Sequence, residues 1–215
     1  YVYSRSDIIS DNNITVGGSS ANGVETSNSN NTIISGNNIT VFGDNAAGIW
    51  TSATNSASNN SILQNSIFIN ASTSSGVFLG KQILGNISGN RIVTSGYFGI
   101  ELFGSSNNSL IGNNITALGF SSGVYFEGYG SEGNTLISNI ITSESGGSGI
   151  RIDSGAINNW IYDNFIKGYI YSAPDLNENY WNTTLALASP GKNIVGGNYL
   201  GGNYYSGFSE SCTDS

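Results

Sequence analysis

The sequence predicts an all-β fold, a single-stranded parallel β-helix (β-solenoid) of about seven turns of roughly 25 residues each. Three observations predict it. The first is a motif, apolar-x-x-Asn-x-apolar, whose Asn falls at Asn12, Asn37, Asn65, Asn90, Asn113, Asn139 and Asn164, in steps of 25, 28, 25, 23, 26 and 25 residues. Ile9, Ile34, Ile62, Ile87, Leu110, Leu136 and Ile161 stand three residues before it, and Ile14, Ile39, Ile67, Ile92, Ile115, Ile141 and Ile166 two after. The second is a Gly-(Val/Ile) anchor in the first six copies, at Gly23, Gly48, Gly76, Gly99, Gly123 and Gly149. The third is the texture between these points: short Ile/Val/Thr runs with alternating apolar positions, such as Gly123 to Phe126, separated by Gly, Asn and Ser corners. Such pieces are too short for helix pairs and have the period of strands. A unit of this length cannot bury its own apolar face, so successive units must stack, about 4.8 Å apart.

In chain order, residues 1–6 read as a lead-in strand or the stump of an earlier turn. The first full turn is 7–29, and turns two to six run to about Gly155. The Ala/Ser/Gly stretches at 44–47, 71–75 and 145–148 are expected as loops, all between the motif Ile and the Gly anchor, so that insertions bulge from one side. The seventh turn, 157–171, keeps Ile161, Asn164 and Ile166. The repeat domain is therefore placed at 1–171. After Pro174 the period is lost, and 172–215 reads as a capping or linker segment covering the end of the stack.

The Asn column has a physical cause. At a corner between strands, Asn tolerates a left-handed backbone and can bond its amide to the Asn of the next turn. A row of neutral amides offers no acid, base or nucleophile, so its role is structural.

Composition narrows the partners. Only 9% of the residues are charged, the net charge is −8 and the pI about 4.1. The six Lys and Arg are scattered, which argues against nucleic acid, because counterion release needs clustered cations. No apolar run is long enough to span a membrane. Tyr1 opens in strand-like sequence, as a mature or trimmed portion would. Against these absences stand the N-x-(Ser/Thr) sequons at Asn13, Asn30, Asn38, Asn59, Asn70, Asn107, Asn114 and Asn182, candidate glycosylation sites in an extracellular location. Asn13, Asn38 and Asn114 follow a ladder Asn directly and should point outward. Asn86 is a ninth sequon, expected to be less accessible because it precedes an inward Ile.

The tail carries a resemblance. Asn179-Tyr180-Trp181-Asn182-Thr183, followed by Asn193 to Phe208 with its Gly-Gly-Asn-Tyr repeats, resembles the ending of archaeal, methanogen-type cell-surface proteins of the NosD-like right-handed parallel β-helix family. The repeats at 7–171 resemble the same family. The resemblance implies a right-handed coil, a cell-surface or extracellular location, and a partner for Cys212 beyond Ser215; the residues alone leave Cys212 a lone thiol. The family name points to copper, but copper sites use Cys, Met and His. This chain has no His, no Met and one Cys, so no cofactor or metal is expected.

The residues after the Gly anchors, Glu25, Trp50, Phe78, Glu101, Tyr125 and Arg151, should face solvent and stack from turn to turn, with Phe103, Glu127 and Asp153 two positions on. Trp50, Phe78, Glu101, Tyr125, Glu127, Arg151 and Asp153 thus form a candidate contact surface. Its aromatics could meet a sugar chain or another copy, or lie under the side loops. Phe42, Phe68, Tyr97, Phe98 and Phe120 are expected in loop packing or the core. Paired carboxylates are what glycoside hydrolysis uses, yet the Asp-Asp, Gly-His-Gly and Arg-x-Lys set of pectinase-type β-helices is absent, and stacked opposite charges also relieve repulsion on a flat sheet. No catalytic residue is assigned. The expectation is a glycosylated extracellular structural protein that self-assembles as a homo-oligomer or polymer in an envelope layer, sheath or filament. The alternative is a carbohydrate-binding or polysaccharide-processing β-helix acting through Glu101, Tyr125, Glu127 and Asp153.

Overall fold

The structure, a computed structural model, describes residues 6–172, 178–184, 186–187 and 192–206. Cys212 and most of the lead-in strand lie outside the described residues.

The chain coils through three parallel sheets, contributing one strand to each per turn. The first contains Ile8–Ser10, Ile33–Ser35, Ser61–Leu63, Asn86–Ser88, Ser109–Ile111, Thr135–Ile137 and Trp160–Tyr162. The second runs from Asn13–Val16 through Asn38–Val41, Ser66–Ile69, Arg91–Thr94, Asn114–Ala117, Ile140–Ser143 and Phe165–Lys167 to Tyr204–Ser206. The third contains Val24–Ser27, Ala47–Ser58, Ser75–Ile83, Phe98–Phe103, Ser122–Glu127, Ser148–Ile152 and Tyr169–Ser172. Motif positions pair in register: Ile34 with Ile62, Ile39 with Ile67 and Ile49 with Val77.

The bore is filled by those aliphatics. Ile39, Ile67, Ile92, Ile100, Ile115, Ile141, Ile150 and Ile166 are fully buried, each contributing about 1.5–3 kcal/mol by leaving water. The two anchors of the repeat meet across the bore. A Cβ on Gly23 would stand 2.4 Å from Ile39 Cγ2 and 2.5 Å from the Gly48 carbonyl, and Gly76 and Gly99 face Ile92 and Ile115 in the same way. Only Gly lets the motif Ile of the next turn press against this wall.

The seven motif Asn form one column. In its interior the backbone N–H and the Nδ2 of Asn65 both donate to Asn90 Oδ1, at 2.9 and 3.0 Å, while Nδ2 gives its other hydrogen to the Ile34 carbonyl at 2.9 Å. Asn90, Asn113 and Asn139 repeat this pattern. The bend itself is elsewhere than expected. The left-handed residue is the one before each ladder Asn: Asp11, Gly36, Gln64, Gly89, Gly112, Ser138 and Asp163, with φ between 54° and 65°. Asn is selected for its amide, and the preceding position makes the turn.

A second column, five residues earlier in the repeat, was not anticipated. Asn108 Nδ2 donates to Asn134 Oδ1, Asn134 to Asn159 and Asn159 to Asn179, each at 2.9 Å. Asn60 is its earlier member and donates to Gln82 Oε1 at 2.7 Å. Asn31, Asn59, Leu84, Asn107, Gly133 and Asn158 make the matching left-handed bends.

The described tail lies on the last turn: Tyr204–Ser206 pairs with Phe165–Lys167, and Asn203 Oδ1 accepts from Asn164 Nδ2 at 2.8 Å. Asn179 and Asn203 thus continue both columns into it. One expectation about the repeat's outline is corrected: insertions occupy more than one side, because the pairing of Ala47–Ser58 with Ser75–Ile83 shifts between Ser52 and Ala57, placing residues 53–56 at the corner opposite the predicted loops.

Candidate functional site

The outer face of the third sheet brings the predicted surface residues together. Register pairs Glu25 with Trp50, Trp50 with Phe78, Phe78 with Glu101, Glu101 with Tyr125 and Tyr125 with Arg151. Phe103 pairs with Glu127 in the neighbouring column. Every candidate contact residue except Asp153 lies in a strand of this sheet, and Asp153 follows Ser148–Ile152 directly.

The aromatic part is not the open platform the sequence suggests. Trp50 and Phe78 stack with centroids 3.9 Å apart, and Phe78 and Phe103 with centroids 6.3 Å apart. Parallel strands hold side chains in line along the stack, so these rings cover one another's faces and turn their edges outward. Tyr125 is a further correction: expected to face solvent, it is 6% exposed. Phe98 packs on it at 4.4 Å, and the Arg151 guanidinium lies 4.7 Å from its centroid. Its hydroxyl donates to Asp153 Oδ2, and Arg151 Nε donates to Asp153 Oδ1 at 3.2 Å. Burial, reinforced by Asp153, pushes the Tyr125 hydroxyl well above its ordinary range. Arg151 loses water, which disfavours its charge, but the hydrogen bond and charge of Asp153 outweigh that and hold it above its usual value.

Beside this trio sits a carboxyl pair. Burial raises Glu101 to about 7, against an accepted hydrogen bond from Ser75 Oγ at 2.8 Å and with a further push from the neighbouring Glu127. Glu101 is therefore about half protonated near neutrality.

The freest aromatic faces belong to side chains expected inside loops or not singled out. Phe120 is 92% exposed and Tyr129 86%, one at each end of Ser122–Glu127. Tyr97, Phe42 and Phe68 are also exposed. Phe68 faces out because Ile67 and Ile69 take the inward positions of its strand, and only Phe98, half-buried on Tyr125, packs as expected. Of the sequons, Asn13, Asn38, Asn59, Asn70, Asn107, Asn114 and Asn182 are exposed and Asn30 half-buried. Asn86 is exposed too, correcting the expectation: strand alternation sends the residue before an inward Ile outward.

These features define a parallel β-solenoid with two internal amide columns and a polar-aromatic outer wall. The chain belongs to the NosD family, whose model, described as periplasmic copper-binding protein (NosD), matches residues 55–210. No curated protein matches the chain. The residues present do not fit the family's copper. The chain has no His or Met and a single Cys, and among the described residues no group of three or more His, Cys, Asp or Glu is placed to hold a metal. Thiolate, thioether and imidazole are the donors copper selects. Among the described residues no helix is long and apolar enough to cross a membrane.

Proposed function

We propose that this chain is a structural β-solenoid of an archaeal cell surface, extracellular and N-glycosylated, which self-associates into an envelope layer, sheath or filament. The observation that carries the reading is the pair of amide columns. They lock one turn to the next along the axis and make a stiff rod, while the outer walls are mostly Ser, Thr and Asn with few charges. Such a body suits a spacer or lattice unit. The test is electron microscopy of purified protein with sedimentation across a concentration series. Ordered polymers are expected, and a strict monomer at high concentration would overturn the proposal.

A second reading, contact with an extracellular polysaccharide, is favoured by one specific feature. Phe120 and Tyr129 present exposed rings on either side of the Glu101, Glu127 and Arg151 floor, an arrangement able to stack on a sugar and bond its hydroxyls. Retardation in polysaccharide-containing gels that disappears in Phe120→Ala with Tyr129→Ala would promote this reading. Equal migration of parent and variant would remove it.

A further inference from the structure

The nine sequons are unevenly distributed over the coil. Not one of their asparagines falls within a strand of the third sheet. Asn13, Asn38 and Asn114 occupy one position of the second sheet, in a column continuous through Ser66 and Arg91. Asn86 opens a strand of the first sheet. Asn59 and Asn107 stand at left-handed corners leading into that sheet.

We infer that N-linked glycan is confined to the walls formed by the first and second sheets and their corners, with Asn38 or Asn13, Asn86 and Asn114 as principal acceptors, Asn30 silent, and the third sheet left bare. The inference rests on the glycoprotein reading and specifies where its sugars stand. In a strand, residues i and i+2 project from the same face. At Asn13, Asn38 and Asn114 the acceptor amide and the sequon hydroxyl of Thr15, Thr40 or Thr116 therefore project from one outward face together, and all three asparagines are exposed. Asn30 is the opposite case. Its Oδ1 accepts from Ser58 N–H at 2.7 Å and Ser58 Oγ at 3.3 Å, and the hydroxyl-bearing Thr32 is 1% exposed. The sequence pattern is satisfied there, but the groups are sealed against the wall.

Asn13 and Asn38 impose a further rule. They pair directly across the sheet, and Asn38 Nδ2 donates to Asn13 Oδ1 at 3.2 Å. Neighbouring rungs are about 4.8 Å apart, too close for two branched glycans to stand side by side, so the pair takes one glycan between them. Asn114 has Arg91 and Ile140 as its neighbours and is under no such restriction. The outcome is a rod with two sugar-covered walls and one uncovered wall, which carries Trp50, Phe78, Phe103 and the Glu101–Glu127 pair and is left free for contact.

The full chain should be secreted from a host that attaches N-linked glycans and its glycopeptides mapped by mass spectrometry, beside Asn30→Gln, Asn38→Gln and Asn114→Gln. Glycan is expected at Asn114 and Asn86 and on either Asn13 or Asn38 of any one molecule. Asn30→Gln should leave the intact mass distribution unchanged apart from the residue difference, Asn114→Gln should remove one glycan, and Asn38→Gln should raise occupancy of Asn13. Asn30 filled as fully as Asn114, or Asn13 and Asn38 filled together, overturns the inference and leaves the glycoprotein reading standing. A chain with no glycan at any site overturns both.

Discussion

The corner between the first and second sheets is a two-residue device in every turn: a left-handed residue makes the bend, and the next residue's amide seals it. In the first column the sealing amide has all its bonds satisfied. Oδ1 of Asn113 accepts twice from Asn90, and Nδ2 donates to Asn139 and to the Ile87 carbonyl. Replacing Asn113 by Ala leaves two donors of Asn90 without a buried partner, at about 1–3 kcal/mol each. Asn113→Ala should therefore lose roughly 2–6 kcal/mol in urea unfolding, whereas Asn114→Ala, one residue away and outward, should lose almost nothing. The bend position predicts a gain. Leu84 is left-handed with φ 56° and 58% exposed, so it bears the strain of a Cβ without much burial to offset it. Leu84→Asn should stabilise by up to about 1 kcal/mol, read as a higher urea midpoint at unchanged slope.

At the scale of the strand, the third sheet differs from the other two in placing ionisable groups on adjacent rungs. Glu101 has an ordinary value of 4.5 and is raised to about 7 in the fold. The folded state therefore holds its proton more tightly than the unfolded chain. Its stabilising contribution is complete below about pH 4.5 and is lost as pH rises through 7. Comparing parent with Glu101→Gln isolates this group from the other carboxylates. The parent's urea midpoint should fall over that window relative to the variant's, by the equivalent of about 3 kcal/mol, and the two should run parallel above pH 8. Parallel curves throughout would mean that the fold does not raise Glu101.

The scale of the element also explains what could be read from the sequence. The first Asn column, its Ile partners and the Gly anchors were legible because all seven or six copies keep the same residue types at fixed offsets. The second column obeys a fixed offset too, five residues before the first, at Asn60, Asn108, Asn134 and Asn159. Thr32 and Gly85 interrupt it, and Gln82 answers Asn60 from a different offset. In a chain so rich in Asn, a column with substitutions does not stand out from its background. The outward surface was legible as an alignment of residues and illegible as a shape. Strand alternation says that Trp50 and Phe78 point out, but not that each ring lies flat on its neighbour, nor that Phe98 leans from its own strand end to cover Tyr125.

For the whole molecule, the described tail is part of the coil rather than an appendage. Asn179 and Asn203 continue the two columns, Tyr180 stacks on Trp160 with centroids 4.4 Å apart, and Tyr204 stacks on Phe165 at 5.1 Å. Asp163, buried in the last full turn, accepts from Ser138 Oγ and from the Ile194 N–H, tying the tail to the turn below. Removing residues 178–215 would uncover Ile161 and Ile166 and leave the Asn159 and Asn164 donors without Oδ1 partners. The shortened chain should unfold at lower urea and bind an apolar dye that the parent does not.

Both amide columns also run one way. In the long column each side-chain oxygen receives from the turn before it, and each side-chain nitrogen gives to the turn after, without reversal from Asn12 to Asn203. The rod therefore has a vector as well as an axis: every side-chain link in the column points from the earlier turn to the later one. A turn can join such a column in one sense alone, each new Asn offering its oxygen to the donors of the turn before it, so the interior fixes the direction of stacking as well as its register.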